Sequence, residues 1–416
     1  MTRTEPYLPP MDRSTSKGSA VWLCAPKRLV HDRLRQREYG MTGVSGATME
    51  WVASRQVFRP TLAVAVLLAA FLSNAPSQAQ SVGYLVPAPA KDNVQAKPKY
   101  ECDAPDAPVI TLDTQSKYRQ DDAQRATIDE EAEETYSDAV EPLRAYGKTL
   151  ARIANAYVKS NPKNTAAAAC ALTWLDHWAS AKAMTDLRSK QAHFNLGQAL
   201  GGFALAYLQI RNAPDLSDEQ KKRVEAWLKT LGRQIVDAKE TGKGVSGRNN
   251  HRYWAGLSAA AAGIASGDKR LTDWGIDSAR IGLAQITPEG TLPLEINRGK
   301  RARDYHIFAA EPLVATAELA HSQGINLYAE HGGALSRLVN RVVESLDDPS
   351  FFKTATGIKQ EPYPGDGTVP PHRIAWLEIH ESRHASPKAQ TVLSPKRPVA
   401  SSGIGGNTTL LFHDED

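Results

Sequence analysis

The sequence is poor in most of the signals that would assign it to a familiar catalytic class. One His-Glu-x-x-His occurs, at 380–384, apart from both polar clusters described below, and a zinc hydrolase would still need a third ligand. No Gly-x-Ser-x-Gly occurs, so the nucleophile elbow of a serine hydrolase is missing. Neither charge dominates: the net is +4 with histidine neutral. That balance argues against a dedicated nucleic-acid binder, which concentrates lysine and arginine on one face, and leaves room for a locally basic cleft. Strand-like alternation is scarce, and no strict internal repeat points to a regular solenoid. Cysteine is rare as well, with three in 416 residues.

The apolar run at 62–72 is too short to span a bilayer comfortably as a helix. Its setting reads as a secretory signal peptide. Met49 opens it, Arg55 and Arg59 precede the run, and Ser77-Gln78-Ala79 supplies a small-x-small cleavage signal ending at Ala79. Translation is then expected to start at Met49. The Arg-rich, aperiodic stretch 1–48 reads as an extension from a mis-called start, and 49–79 as the signal, with an uncleaved anchor as the alternative. Residues 80–100, rich in Pro, Ala and Lys, read as a linker or extended arm, and 101–416 as one domain. Cys24 falls in the extension, so an exported chain keeps Cys102 and Cys170. An oxidising compartment favours a bridge between them. Closing so long a loop is worth ~4 kcal/mol on a chain-entropy basis. The alternative is two unrelated small core residues.

From about Tyr136 the apolar pattern is helical. Val140, Leu143, Tyr146, Leu150, Ile153 and Tyr157 recur at three- and four-residue steps until Asn161-Pro162 breaks the pattern. Further helices are expected over 165–184, 191–210, from about 216, after the Gly-rich 242–247, and over 271–285, 304–321, 332–344 and 372–380. The stretch 105–113 holds one short extended piece. Many helices with short links imply antiparallel pairs, stacked into an arc or barrel with a cleft at the loop ends. The charged stretch 116–134 reads as a solvated helix or a mobile loop. It begins Ser116-Lys117-Tyr118-Arg119, two cations around an aromatic, which would suit a lid over an anionic ligand.

Two polar clusters stand out. The first is Arg248-Asn249-Asn250-His251-Arg252-Tyr253-Trp254, which leads into the Ala-rich 255–265. Asn249 or Asn250 can cap that helix by accepting the free N–H groups of its first turn, and a helix start favours anions. An ordinary capped helix needs no such gathering of Arg, Asn, His and Tyr. The second cluster is Asn297-Arg298-Gly299-Lys300-Arg301-Ala302-Arg303-Asp304-Tyr305-His306, cations before a Tyr-His pair. It is either a basic helix entry or an anion site holding a tyrosine whose pKa the cations lower.

Neither cluster carries the carboxylate pair that a glycosidase usually needs. β-Elimination on a uronic-acid polymer fits better. A proton leaves C5 beside the carboxylate, and the enolate-like dianion needs donors such as an Asn amide and an Arg guanidinium. A tyrosine can take that proton and return one to O4. In β-linked mannuronate or glucuronate, H5 and O4 share a face, so one group can do both. In guluronate they lie on opposite faces, and His251 is the natural second group.

Asn249-Asn250-His251-x-Tyr253-Trp254, followed by Arg298 and Tyr305-His306, resembles the mannuronate-specific alginate lyase family of Gram-negative bacteria (polysaccharide lyase family 5). Ser116-Lys117-Tyr118 is similar to it as well, and the resemblance covers about 100–385. It implies an all-α fold, an incomplete (α/α) barrel of antiparallel helix hairpins. It also implies a periplasmic polysaccharide lyase that depolymerises alginate by β-elimination, needs no metal, and leaves an unsaturated uronate. Carried over by position, Asn250 and Arg298 would neutralise the carboxylate. Tyr305 would be base and acid, with His251 assisting or acting as base. Lys117, Tyr118 and Arg119 would form a lid. Gln191, Gln198, Arg248, Tyr253, Trp254, Arg301 and His306 would meet substrate, and Arg252 would help attract the polyanion.

One departure matters: Gln198 stands where relatives carry an aromatic on the helix after Gln191. Polyglucuronate or a mixed uronate therefore stays open as substrate. So do a non-catalytic acidic-polysaccharide binder and an α/α-barrel glycoside hydrolase using Glu289, Glu295 or Glu311. No nucleic-acid partner and no membrane anchor after signal cleavage are expected.

Overall fold

Capping residues set where the chain turns. The computed structural model describes residues 83–413 except Lys243; the extension and signal peptide read at 1–79 lie outside the described residues. Asp129, Asn164, Ser189, Ser217, Asn249 and Asp268 accept backbone N–H groups at the starts of the first six helices. These are α1 (Glu130–Lys159), α2 (Thr165–Ser180), α3 (Lys190–Ile210), α4 (Asp218–Thr241), α5 (Asn250–Ser266) and α6 (Lys269–Leu283). Each such cap is worth about 1 kcal/mol. α7 (Pro293–Ile296) is one turn, α8 (Ala302–Ser322) is long, and α9 (Glu330–Asp347) is entered through left-handed residues 331–333. α10 (Ser350–Thr356), α11 (Trp376–Glu381), α12 (Pro387–Leu393) and α13 (Thr408–Phe412) are short. The strands are two-residue pieces. β1 (Thr111–Leu112) runs parallel to β2 (Asp186–Leu187), and β3 (Ala400–Ser401) antiparallel to β4 (Gly406–Asn407).

The fold is all-α, an incomplete (α/α) barrel. α5 lies at its centre and packs against α3, α4, α6 and α8. Its run of Ala and Gly is buried on nearly every side. Small side chains flatten the ridges that otherwise hold helices 8–10 Å apart. A Cβ on Gly275 of α6 would sit 2.5 Å from the Ala260 nitrogen of α5, so backbone meets backbone there. Among the described residues no helix is long and apolar enough to cross a membrane.

The expected stripe on α1, from Val140 to Tyr157, is buried. The helix nevertheless begins at Glu130, ahead of its first apolar position, because Asp129 caps it and Glu130, Glu131 and Glu133 suit the positive end of its dipole. The preceding stretch is a loop. The Asp122 carboxylate gathers it by accepting N–H bonds from Gln124, Ala126 and Thr127 at 2.8–2.9 Å.

The N-terminal arm is more than a spacer. Tyr84 and Val86 are core residues, and the Tyr84 ring meets Phe412 edge-on at 4.9 Å. The expected Cys102–Cys170 bridge is present, with Cα atoms 5.7 Å apart, and ties the arm to α2.

Candidate active site

The first turn of α5 and the link from α7 to α8 share a cleft of about 900 Å³. Asn249 is the N-cap of α5, which places Asn250 and His251 in that first turn. Asn250 is fully buried. Its backbone N–H donates to Glu295 Oε1 at 2.9 Å, and its Nδ2 lies 2.9 and 3.0 Å from Oε1 and Oε2. Two carboxylate oxygens at that range subtend only about 45° at the nitrogen, whereas its two N–H bonds diverge by about 120°. One N–H is therefore shared by both oxygens, and the other is unspent. Arg298 also leans on Glu295, with Nε 3.4 Å from Oε2, while Nη1 reaches the Gln124 carbonyl at 3.3 Å. Its Nη2 makes no hydrogen bond to a described residue. Burial pushes the Glu295 carboxyl up, and Arg298 and the Asn250 N–H groups pull it back.

Tyr305, in the first turn of α8, lies under Arg298, whose guanidinium carbon is 4.4 Å from the ring centroid. Burial and then the neighbouring Tyr118 push its phenol well above the ordinary range, while Arg298 and Arg301 pull it down. The sequence argument expected the cations to lower this pKa. Burial outweighs them here, so Tyr305 rests protonated.

His251 stacks on Phe194 of α3, with centroids 3.8 Å apart and planes 15° apart. Lys239 Nζ of α4 lies 4.5 Å from the same phenyl centroid. Burial first, then Lys239, Arg298 and Lys190, hold the His251 pKa well below its usual value. Burial also brings Lys239 down to about 7. The resting cleft thus offers a neutral imidazole and a protonated phenol.

Charge in the cleft is one-sided. Lys117, Arg125, Arg144, Lys190, Arg298, Arg301 and Arg373 line it, and among the described lining residues the acidic one is Asp304. Arg373 holds Asp304 at 3.3 Å. Glu289 is exposed, Glu311 accepts from Ser401 Oγ at 2.6 Å, and Glu295 lies beneath Asn250. No two of them face each other across the cleft as a glycosidase pair.

Comparison with known proteins agrees with this geometry. The family described as alginate lyase matches residues 113–352. A polysaccharide lyase from Stenotrophomonas maltophilia is 33% identical over 290 residues, covering 69% of this chain and 83% of that protein. An alginate lyase of Pseudomonas aeruginosa is 30% identical over 306 residues, covering 72% and 82%. The chain belongs to the alginate lyase family.

Among solved structures, alginate lyase A1-III from a Sphingomonas species, holding a tetrasaccharide, is similar at a TM-score of 0.67 and 25% identity, over 77% of this chain and 89% of that one. Two of its tetrasaccharide complexes are of a His-to-Ala and a Tyr-to-Phe variant. The altered His and Tyr stand as far apart in that chain as His251 and Tyr305 do here.

Of the positions expected to meet an alginate-type substrate, Lys117, Tyr118, Gln191, Gln198 and Arg301 line the cleft. Lys117 pairs with Glu133 at 2.8 Å, and Arg301 Nη1 lies 3.3 Å from the Tyr118 hydroxyl. Other expected positions lie outside it. Arg119 is exposed and pairs with Asp121 at 2.7 Å, and Arg125 lines the cleft in its stead. Arg248 is an exposed residue whose carbonyl accepts from the Tyr253 hydroxyl at 3.1 Å. Tyr253 is thereby a buried anchor, and Trp254 is buried against Phe308. Both sit about one turn deeper along α5 than Asn250. Arg252 is buried too, donating to Ser278 Oγ at 2.8 Å with its guanidinium over Trp274. His306 is fully buried: Nδ1 donates to the Ala302 carbonyl and Nε2 accepts the Leu292 N–H at 2.9 Å. It braces the link that carries Glu295 and Arg298. Sequence reasoning missed Phe194, Arg144 and Lys190, and weighed Glu295 only as a hydrolase acid.

Proposed function

We propose that this alginate lyase family member is a periplasmic enzyme that cleaves β-1,4-linked mannuronate by β-elimination and leaves an unsaturated uronate at the new non-reducing end. The observation that carries the reading is Tyr305 under the Arg298 guanidinium, beside an Asn250 amide with one N–H unspent. A uronate carboxylate bound here meets that N–H and the free edge of Arg298. As H5 leaves, charge builds on the carboxylate oxygens, and donors fixed in advance stabilise it more than water does. Tyr305 takes H5 and returns a proton to O4, since both lie on one face of mannuronate. To begin as a base it must first shed its own proton, and the neutral His251 imidazole is the group placed to take it. That transfer is uphill given the pKa values that burial sets, and Arg298 and Arg301 ease it by favouring the phenolate. The basic lining attracts and holds the polyanion.

The tetrasaccharide complexes of A1-III, altered at one His and one Tyr with this spacing, support those two roles. The signal peptide read at 49–79 supports export. Gln198 lining the cleft favours polyglucuronate as the second reading, with the same elimination on another sugar.

The test is ultraviolet absorbance of the unsaturated product when the mature chain meets polymannuronate, polyguluronate and polyglucuronate separately. A rise with polymannuronate alone supports the reading. A rise with polyglucuronate alone keeps the mechanism and moves the substrate. No rise with any of them overturns the proposal. Tyr305→Phe should abolish turnover and retain polymer binding; near-normal activity in that variant would remove Tyr305 from the chemistry.

A further inference from the structure

A second cavity, of about 110 Å³, opens beside the cleft. Val140, Leu143 and Gly147 of α1, Ala199 and Phe203 of α3, and the turn at Ser402-Gly403 bound it. Tyr136, Arg144 and Gln198 line both spaces, so the small one is a side pocket of the large one. Its wall is built closely. Gly202 lets the Ser402 carbonyl press onto α3, where any Cβ would collide with it.

The lining decides what can enter. Val140, Leu143 and Phe203 are almost wholly buried in the fold and present hydrocarbon to the pocket. A sugar ring placed there would leave most of its hydroxyls without partners, and a carboxylate would fare worse. For scale, a dry apolar cavity of about 150 Å³ holds a benzene ring. This pocket is smaller than that, which suits a group of a few heavy atoms. Polar groups stand at the mouth and, inside, at Asn195, whose Oδ1 already accepts from Tyr136 and Gln191 and whose Nδ2 donates to Thr114. Gln198 makes no hydrogen bond to another described residue, so its amide is free. Arg144 has no acidic partner among the described residues, and its Nη1 has one long contact, 3.5 Å to Ser137 Oγ.

We propose that this side pocket receives an acyl substituent of acetyl size carried by a polyuronate bound in the cleft. This rests on the polyuronate reading above. Arg144 pairs with a uronate carboxylate at the mouth, the Gln198 amide donates to the acyl carbonyl, and the methyl packs on Val140, Leu143 and Phe203. Gln198 is then the residue that serves this mouth. The acyl group has two sources, an O-acetyl ester on a uronate or the N-acetyl group of a neighbouring hexosamine.

The test compares the wild-type chain with Ala199→Val and Ala199→Leu on three polymers. These are unsubstituted polymannuronate, O-acetylated polymannuronate, and an alternating glucuronate/N-acetylhexosamine polymer. Filling the pocket should lower kcat/KM on an acylated polymer by about tenfold or more, the scale of one misplaced hydrocarbon group in a fitted pocket. The loss should grow from Val to Leu. Activity on the unsubstituted polymer should stay at the wild-type level, which also shows that the variants fold. A loss confined to one acylated polymer identifies the source. Equal effects on acylated and unsubstituted polymers, or no effect on either, would overturn the assignment. So would a wild-type enzyme that cleaves only unsubstituted polymer, and that result would leave the lyase reading intact. A wild-type enzyme inactive on all three would bring down both.

Discussion

Replacing Glu295 by Gln asks whether a buried carboxylate aims the groups above it. Glu295 takes the Asn250 backbone N–H, the Asn250 amide and the Arg298 Nε contact, and no part of it is exposed. Gln keeps the volume and exchanges one acceptor oxygen for an NH₂ group. Whichever way that amide turns, one donor faces another, either at Asn250 or at Arg298. Hydrogen bonds to a charged acceptor are worth ~1.5–3 kcal/mol and neutral ones ~0.5–1.5, so weakening three of them costs about 3 kcal/mol. The kinetic effect follows from geometry. The unspent Asn250 N–H and the free edge of Arg298 point where they do because other hydrogens of both groups are committed, those of Asn250 and Arg298 Nε to Glu295 and that of Arg298 Nη1 to the Gln124 carbonyl. Losing one aimed donor to developing oxyanion charge costs about 10²–10³ in kcat. We therefore expect Glu295→Gln to lower kcat by about 10² while polymer binding is largely kept. The combined Asn250→Ala/Glu295→Gln chain should be little worse than Asn250→Ala alone, because residues in one network are not additive. Initial rates of product absorbance across polymer concentrations, with thermal melts in parallel, measure both effects. A Glu295→Gln enzyme that melts lower but turns over at the native kcat would refute the reasoning and leave Glu295 a fold residue.

Two pH predictions follow from other buried groups. Lys239→Met removes one of the cations that hold the His251 pKa down, so the acid limb of kcat/KM should move to higher pH; an unmoved limb would separate His251 from that limb. Burial raises Glu311 to about 7, against the pull of Ser401 and Arg373. Unfolded, it titrates near ~4.3, so its stabilising contribution is full below that pH and is lost as pH rises through about 7, a change on the order of 3 kcal/mol. Glu311→Gln should flatten the fall of Tm across that window, and melting curves that stay parallel to wild type would contradict the assignment.

Periodicity made the long helices legible because it reports which face of one element is buried. Val140 to Tyr157 announced α1, yet not its first turn, where a capping Asp and three Glu take the place of apolar residues. The Asn249 cap was legible for the same local reason. Contacts between elements were not. Phe194 looked like one apolar residue in a helix, and only the fold lays it against His251. The Tyr305 pKa was read from its neighbours' charges, and a sequence displays charges while hiding burial, which here is the larger cause.

The cluster at 248–254 shows the limit of adjacency most clearly. Seven consecutive polar and aromatic residues read as one site, but they enter a helix, and successive residues on a helix point about 100° apart. Asn250 and His251 meet the cleft, whereas Arg252, Tyr253 and Trp254 turn into the packing that fixes α5. The motif is nonetheless a coherent unit, since Tyr253 bonds back to the Arg248 carbonyl and holds the loop that delivers the cap. Glu295 completes the pattern from the other direction. It stands far from Asn250 in sequence, so only its place three residues before Arg298 hinted at a shared site. Residues that touch substrate can be read from their chemistry. Residues that aim them are read only once the chain has folded, because what they supply is direction.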